Sequence, residues 1–143
     1  MIRPIVLDAT PLGKLAHPQK AIEISFWYEE MLKAGKEIII AEMADYEIRR
    51  ELVLRGYISS LQRLDELIIA HTYLPLSTKV MRLAAQLWAD ARKAGTPTAD
   101  PKELDCDVVL AAQALISNAI VATENVGHLR RYVEAHHWQD IEP

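Results

Sequence analysis

Cysteine and long apolar runs are both scarce in this chain of 143 residues. Its one cysteine, Cys106, excludes an internal disulfide and is typical of a protein kept in a reducing compartment. No hydrophobic stretch approaches the roughly 20 residues that span a bilayer. The start of the chain, Met1-Ile2-Arg3-Pro4, also lacks the apolar core of a signal peptide. We therefore expect a cytoplasmic protein with no membrane partner.

Glycine-rich loops and an excess of positive charge are also missing. Without a glycine-rich phosphate loop, a nucleoside triphosphate site of the usual kind is excluded. The net charge of -4 does not favour nucleic acid either, but the local clustering of basic residues matters more. Arg49 and Arg50 lie close to Glu47 in the sequence, and Arg130 and Arg131 form a second pair. For any one pair, a solvated helix face is the simpler interpretation.

Short apolar segments alternate with longer amphipathic ones. The segments that favour strands are 5–7, 37–40, 72–76, 119–123 and 138–141. The segments that favour helices are 21–32, 42–54, 58–68, 77–91, 107–118 and 127–136, and 95–101 has the composition of a loop. This alternation predicts a three-layer α/β/α fold with a mostly parallel central sheet of about four or five strands. The length predicts a single domain over residues 1–143.

Two acidic residues follow the first two predicted strands. Asp8 comes directly after the strand at 5–7, where open α/β sheets bind ligands. A helix N-cap or an Asx-turn explains Asp8 about equally well. Glu47 lies within the helix after the second strand, and a solvated helix surface is the default interpretation for such a glutamate.

Asp105 and Asp107 lie on either side of Cys106, ahead of a helix that is rich in small apolar residues. We expect this helix to begin at Asp107, so that both acids face the positive end of the helix dipole. One of the two is then the N-cap, and at most one is available as a ligand.

The last polar cluster, Thr123-Glu124-Asn125, follows the strand predicted at 119–123 and shares the topological setting of Asp8. The carbonyl oxygen of Asn125 can coordinate a hard cation without adding charge. Thr123 is placed to hydrogen-bond a neighbouring carboxylate. His128 is a possible general base, but a lone histidine is more often a polar surface residue.

Together these clusters predict a site for Mg²⁺ or Mn²⁺. Such ions favour a few carboxylates together with water and phosphate oxygens, and they activate water for attack on a phosphate. Acidic side chains that hold the metal, with Arg49 and Arg50 as candidate contacts to the nucleic-acid backbone, fit phosphodiester hydrolysis. Cys106 is better explained as a small buried residue than as a nucleophile.

Four segments, in the correct order, resemble the motifs of the PIN domain, the nuclease fold of the VapC-type toxins. They are 6–12 (VLDATPL), similar to LDTNxL; 44–52 (ADYEIRREL); 107–114 (DVVLAAQA), similar to DxxIAAxA; and 122–129 (ATENVGHL), similar to TxNxxDF. The resemblance implies that Asp8, Glu47 and Asp107 are the metal-binding acids and that Thr10 is a supporting hydroxyl. It further implies a cytoplasmic, divalent-metal-dependent endoribonuclease that forms a homodimer and is inhibited by an antitoxin.

The sequence departs from this family in two places. Asn125 occupies the fourth acidic position, and His128 stands where an aspartate is often found. Fewer negative charges should weaken metal binding unless Asp105 or Glu124 turns inward. The alternative function is therefore a non-catalytic PIN-like module that binds RNA or a protein partner, and a DNA-directed nuclease with the same metal chemistry is a third.

Overall fold

The central sheet contains five parallel strands in the part of the chain that a computed structural model describes. That part comprises residues 2–17, 22–95 and 101–143, with side chains described from Cys106 onward in the last range. The strands are β1 Ile5–Leu7, β2 Ile38–Ala41, β3 Thr72–Leu74, β4 Ile120–Thr123 and β5 Ala135–His137. Their order is β3-β2-β1-β4-β5. The predicted α/β/α fold is confirmed, with a sheet that is parallel throughout.

The three inner strands are short apolar runs because both faces of a parallel sheet are covered by helices. Every residue of β1 and β2 is buried. In β1, Ile5 is opposite Ile38 of β2 on one side and Ile120 of β4 on the other. This register aligns the carboxyl ends of β1, β2 and β4, and the polar residues that follow these strands therefore start from one edge of the sheet.

Helices connect the strands, as predicted from the alternation of patterns. They are α1 Ala9–Ala16, α2 Ile22–Lys33, α3 Glu42–Arg55, α4 Ile58–Ala70, α5 Thr78–Lys93, α6 Pro101–Ile116 and α7 Val126–Leu129. Ser77 is the N-cap of α5, and its hydroxyl accepts a hydrogen bond from the Val80 N–H at 3.1 Å. No helix in the described ranges is long and apolar enough to cross a membrane.

The first helix, α1, has no counterpart among the predicted elements. The sequence pattern did not predict α1 because it contains Pro11 and Gly13, and both residue types have low helix propensity. Pro11 is tolerated in the first turn, where its missing N–H needs no partner. Gly13 permits close packing on α3, since a Cβ at this position would lie 2.8 Å from Cδ1 of Ile48.

Helix α6 begins at Pro101 and not at Asp107, so the prediction that Asp105 or Asp107 is an N-cap was wrong. Asp107 lies inside the helix, away from the positive end of its dipole. The side chain of Asp105 and most of the predicted 95–101 loop lie outside the described residues.

The C-terminal prediction also needs correction. The helix expected at 127–136 is the short α7, and the edge strand is β5. The segment predicted as that strand instead forms a 3-10 turn at Trp138–Asp140. Trp138 is buried there and packs edge-on against Trp27, with ring centroids 5.9 Å apart. Trp138 therefore packs in the core, and the strand that pairs with β4 is β5, which directly precedes Trp138 in the sequence.

Candidate metal centre

Asp8 is fixed by two hydrogen bonds at the carboxyl edge of the sheet. Its Oδ1 accepts from the backbone N–H of Ala9 at 2.8 Å, which makes it the N-cap of α1. Its Oδ2 accepts from the Thr123 hydroxyl at 2.7 Å, across the boundary between β1 and β4. Burial raises the pKa of Asp8, although these two hydrogen bonds oppose the shift. The two interpretations of Asp8, a helix N-cap and a candidate ligand at the sheet edge, are therefore compatible, since the N-cap itself lies at that edge.

Glu47 extends toward the same place from α3. It is half-buried, and burial followed by the charge of Asp8 raises its pKa. The Cys106 thiol lies near the Glu47 carboxylate, and burial followed by the charge of Glu47 raises the pKa of that thiol to about 11. A raised pKa disfavours the thiolate, the form in which a cysteine acts as a nucleophile, and the Cys106 side chain is partly buried.

Asp107 is the third acid, and it is presented by α6. Burial, followed by the charges of Asp8 and Glu47, raises the pKa of Asp107 to about 6. Its Oδ2 lies 3.6 Å from Nδ1 of His128 on α7. Acids from three separate parts of the fold, the α1 N-cap, α3 and α6, are therefore close enough to influence one another electrostatically.

Asn125 and His128 close the other side of this cluster. The Asn125 backbone N–H donates to the Thr123 hydroxyl oxygen at 2.8 Å, so that Thr123 links Asn125 to Asp8. The amide Nδ2 of Asn125 lies 3.0 Å from Nδ1 of His128. His128 therefore borders the cluster while its side chain stays 43% exposed, as expected of a polar surface residue.

The donor set suits a hard divalent cation. Asp8, Glu47 and Asp107 all supply carboxylate oxygens, the ligands that Mg²⁺ and Mn²⁺ favour. Burial is the main cause that raises the pKa of all three acids, and repulsion from neighbouring acids adds to the shifts of Glu47 and Asp107. In the conformation described, however, no three His, Cys, Asp or Glu side chains with described positions are close enough to hold a metal ion together.

The other predicted supporting residues have different surroundings. Glu124 forms an ion pair with Lys14 of α1, with 2.8 Å between Nζ and Oε2, so its charge is already neutralised. Thr10 is exposed in the first turn of α1 and lines a groove together with Lys14.

The two arginines that were predicted to contact nucleic acid differ sharply. Arg49 donates to Asp45 at 3.0 Å and to Asp65 at 2.8 Å, which ties α3 to α4. Arg50 is exposed, and its guanidinium lies over the ring of Tyr46 at 5.3 Å from the centroid. Of the two, Arg50 is the one available to a ligand.

Gln113 is a positioning residue that the sequence reasoning missed. It is fully buried in α6, accepts from the Met43 N–H at 3.2 Å and donates to the Leu74 carbonyl at 2.8 Å. These bonds join α6 to the start of α3 and the end of β3, and so place Asp107 relative to Glu47. The available signal was a polar residue within the apolar run 108–116.

No protein-family model and no curated protein matches this chain, but solved structures do. A chain of FitAcB from Neisseria gonorrhoeae matches with a TM-score of 0.74 and 21% identity, over 96% of this chain and 99% of that one. VapBC2 from Rickettsia felis, bound to a DNA fragment from its promoter, matches with a TM-score of 0.76 and 16% identity, over 96% and 99%. VapBC-1 from nontypeable Haemophilus influenzae matches with a TM-score of 0.71 and 18% identity, over 98% and 100%. At these identities the likeness is one of fold.

Proposed function

We propose that this chain, which has the fold of a VapC-type PIN domain, is a divalent-metal-dependent endoribonuclease and the toxin of a toxin–antitoxin pair. The observation that carries the proposal is the electrostatic proximity of three acids from separate elements: Asp8 raises the pKa of Glu47, and both raise that of Asp107. Clustered buried carboxylates are costly unless something neutralises them. A divalent cation does so, and it recruits the phosphate of a substrate.

Asp8, Glu47 and Asp107 would hold Mg²⁺ or Mn²⁺ in this function. The ion supplies Lewis acidity toward a phosphate oxygen and an activated water. The Thr123 hydroxyl and the Ala9 N–H hold Asp8 in one orientation. The Asn125 side chain lies next to His128 and orients groups on the open side of the cluster.

The partners follow from the same proposal. The VapBC and FitAB structures are toxin–antitoxin complexes, and we extend an antitoxin partner to this chain on the basis of the shared fold. RNA is the proposed substrate because exposed Arg50 lies beside the acidic cluster. A homodimer and a cytoplasmic location remain predictions. Light scattering on the purified protein tests the homodimer.

Cleavage of a labelled RNA panel in Mn²⁺ or Mg²⁺ tests the proposal. We expect wild type to cut, Asp8→Asn and Asp107→Asn to lose at least about a hundredfold in rate, and EDTA to abolish cutting. Glu66→Gln is the matched control, since Glu66 pairs with Arg63 on the surface of α4. Full activity in folded Asp8→Asn would overturn the assignment of the site.

A non-catalytic module that binds RNA or protein is the second candidate. Two observations favour it: the described acids are not preassembled around a metal position, and Asn125 replaces an acid. Calorimetry with Mn²⁺ separates the candidates. Binding that Asp8→Asn abolishes supports the enzyme, whereas undetectable Mn²⁺ binding together with intact RNA binding supports the module.

A further inference from the structure

A histidine nitrogen faces the acidic cluster from α7. Nδ1 of His128 lies 3.6 Å from Oδ2 of Asp107 and 3.0 Å from the amide Nδ2 of Asn125. The NH₂ group of an amide can only donate, so Nδ1 is the unprotonated ring nitrogen in this arrangement and offers a lone pair. An unprotonated imidazole nitrogen is the form in which histidine binds a metal ion.

The distance between His128 and Asp107 suits two ligands of one ion better than a hydrogen bond. Hydrogen bonds between nitrogen and oxygen are about 2.7–3.2 Å long. The chain has such a contact elsewhere, since Nε2 of His136 lies 3.0 Å from Oε2 of Glu134. Two donors that share an ion through bonds of about 2.1 Å are roughly 3.0–3.6 Å apart at bond angles of about 90–120°. The 3.6 Å between His128 and Asp107 lies within this second range.

Asp107 and His128 are also the part of the cluster that is already in place. Among the side chains that the structure describes, no three His, Cys, Asp or Glu residues are close enough to hold an ion together. Asp107 and His128 nevertheless meet as a pair, because α6 and α7 pack against each other. The charges of Asp8 and Glu47 both act on Asp107, so two further carboxylates are within electrostatic reach of this pair.

A nitrogen ligand changes which ion the centre prefers. Mg²⁺ favours oxygen ligands and keeps several of its waters, whereas imidazole suits transition-metal ions. Affinity for a site with nitrogen and oxygen ligands rises along the first transition series, from Mn²⁺ to Co²⁺. Compared with a carboxylate at the same place, the neutral imidazole of His128 supplies nitrogen and no negative charge. Both differences act against Mg²⁺.

We infer that His128 is a metal ligand of the proposed centre, that it anchors the ion together with Asp107, and that its nitrogen makes the centre select Mn²⁺ and Co²⁺ over Mg²⁺. The inference rests on the proposed function and deepens it, since it narrows the metal to ions that accept a nitrogen ligand. Asp8 and Glu47 add carboxylate oxygens to the anchoring pair. On binding, the ion takes the place of the Asn125 amide hydrogen at Nδ1 of His128.

Pulsed electron paramagnetic resonance of bound Mn²⁺ tests the ligand directly, without substrate or cleavage. The protein is used without an affinity tag, because a polyhistidine tag would add nitrogen ligands of its own. We expect wild type to show nitrogen coupling from a directly bound imidazole, and His128→Asp and His128→Ala to lose it. His136→Gln is the matched control and should keep the coupling, since His136 also pairs with an acid, Glu134, but belongs to β5.

Competition between ions tests the selectivity. A titration that follows the signal of free Mn²⁺ gives the Kd of Mn²⁺, and displacement by Co²⁺ or Mg²⁺ gives the Kd values of those ions. We expect His128→Asp, which supplies oxygen in place of nitrogen, to lower the ratio of Co²⁺ affinity to Mg²⁺ affinity at least about tenfold. His128→Ala should weaken Co²⁺ binding by a similar factor and change Mg²⁺ binding far less. Circular dichroism checks that each variant is folded.

The outcomes separate this inference from the proposed function. If wild type cleaves RNA with Mn²⁺ but the bound ion shows no nitrogen coupling, and His128→Asp has the ion preferences of wild type, the inference is wrong and the nuclease stands. Coupling that His136→Gln removes places the ion at β5 and overturns the inference. If none of the three ions binds, the inference and the metal-dependent nuclease both fail. Coupling that His128→Asp removes, in a protein that cleaves no RNA, supports the ligand and contradicts the nuclease.

Discussion

A few hydrogen bonds to individual residues fix the orientation of side chains in the acidic cluster. Asp8 is bonded at both oxygens, and the Thr123 hydroxyl serves at once as donor to Asp8 and acceptor from the Asn125 N–H. A β-branched threonine loses little rotamer freedom on a buried strand. Its loss would release both Asp8 and Asn125, so Thr123 positions two members of the cluster.

Asp107 makes the free energy of unfolding depend on pH. Its pKa is about 6 in the folded protein, above the ordinary 3.8. The folded state therefore binds more protons than the unfolded state between these values, and stability falls as pH rises from about 4 to 6. In EDTA, we expect Asp107→Asn to flatten this dependence and to exceed wild type by about 1–3 kcal/mol at pH 7.

Urea unfolding at several pH values measures this effect. Asp90→Asn is the control, because Asp90 is an exposed acid on α5 and asparagine keeps an oxygen that accepts the hydrogen bond from the Gln86 amide. If the stability of wild type rises between pH 4 and 6, and that of Asp107→Asn changes with pH in the same way, Asp107 does not have the raised pKa assigned to it.

At the scale of elements, the end of α3 depends on a left-handed residue. Gly56 has φ +69 and caps α3 through its N–H to the Leu52 and Val53 carbonyls. A Cβ would meet no atom within 4 Å, so any cost of Gly56→Ala comes from the backbone conformation alone. We expect a loss of about 1 kcal/mol in urea unfolding.

Gly127→Ala is the matched substitution for that prediction. Gly127 lies in α7 with the same open surroundings, and its φ is not in the left-handed region. There, alanine should leave stability unchanged or raise it slightly, because it is the better helix former. Equal losses in both variants would mean that the conformation of Gly56 is not what matters.

For the whole molecule, neutralising the clustered acids should stabilise the fold. A ligand that binds only the folded state adds about 2.7 kcal/mol at 100 times its Kd, which corresponds to roughly 5–10 °C in Tm for a chain of this size. We expect Mn²⁺ to raise the Tm of wild type by about this amount and EDTA to reverse it. Differential scanning fluorimetry measures the shift.

Asp8→Asn is the informative variant for the thermal shift. It should have a Tm close to or above that of wild type in EDTA, since burial disfavours the charged form of Asp8, yet gain little from Mn²⁺. A Mn²⁺ shift of equal size in Asp8→Asn would place the metal elsewhere on the protein.

The sequence by itself determined the alternation of strands and helices and pointed to the candidate site residues that follow the strands. Continuous apolar runs mark β1, β2 and β4 within a residue of their ends, because strands covered on both faces need no polar side. Asp8 and Asn125 were identifiable since each follows such a strand. The edge strand β5 was misplaced because its residues, Ala135–His137, carry too weak an apolar pattern.

Tertiary structure decided which groups meet. Thr123 and Asp8 are 115 residues apart, and they bond because the strand order puts β4 beside β1. The same packing pairs Lys14 with Glu124, commits Arg49 to Asp45 and Asp65, and leaves Arg50 exposed. Periodicity and turn chemistry act over a few residues and fix each element locally. Contacts between elements depend on strand order and helix packing, which no local pattern encodes.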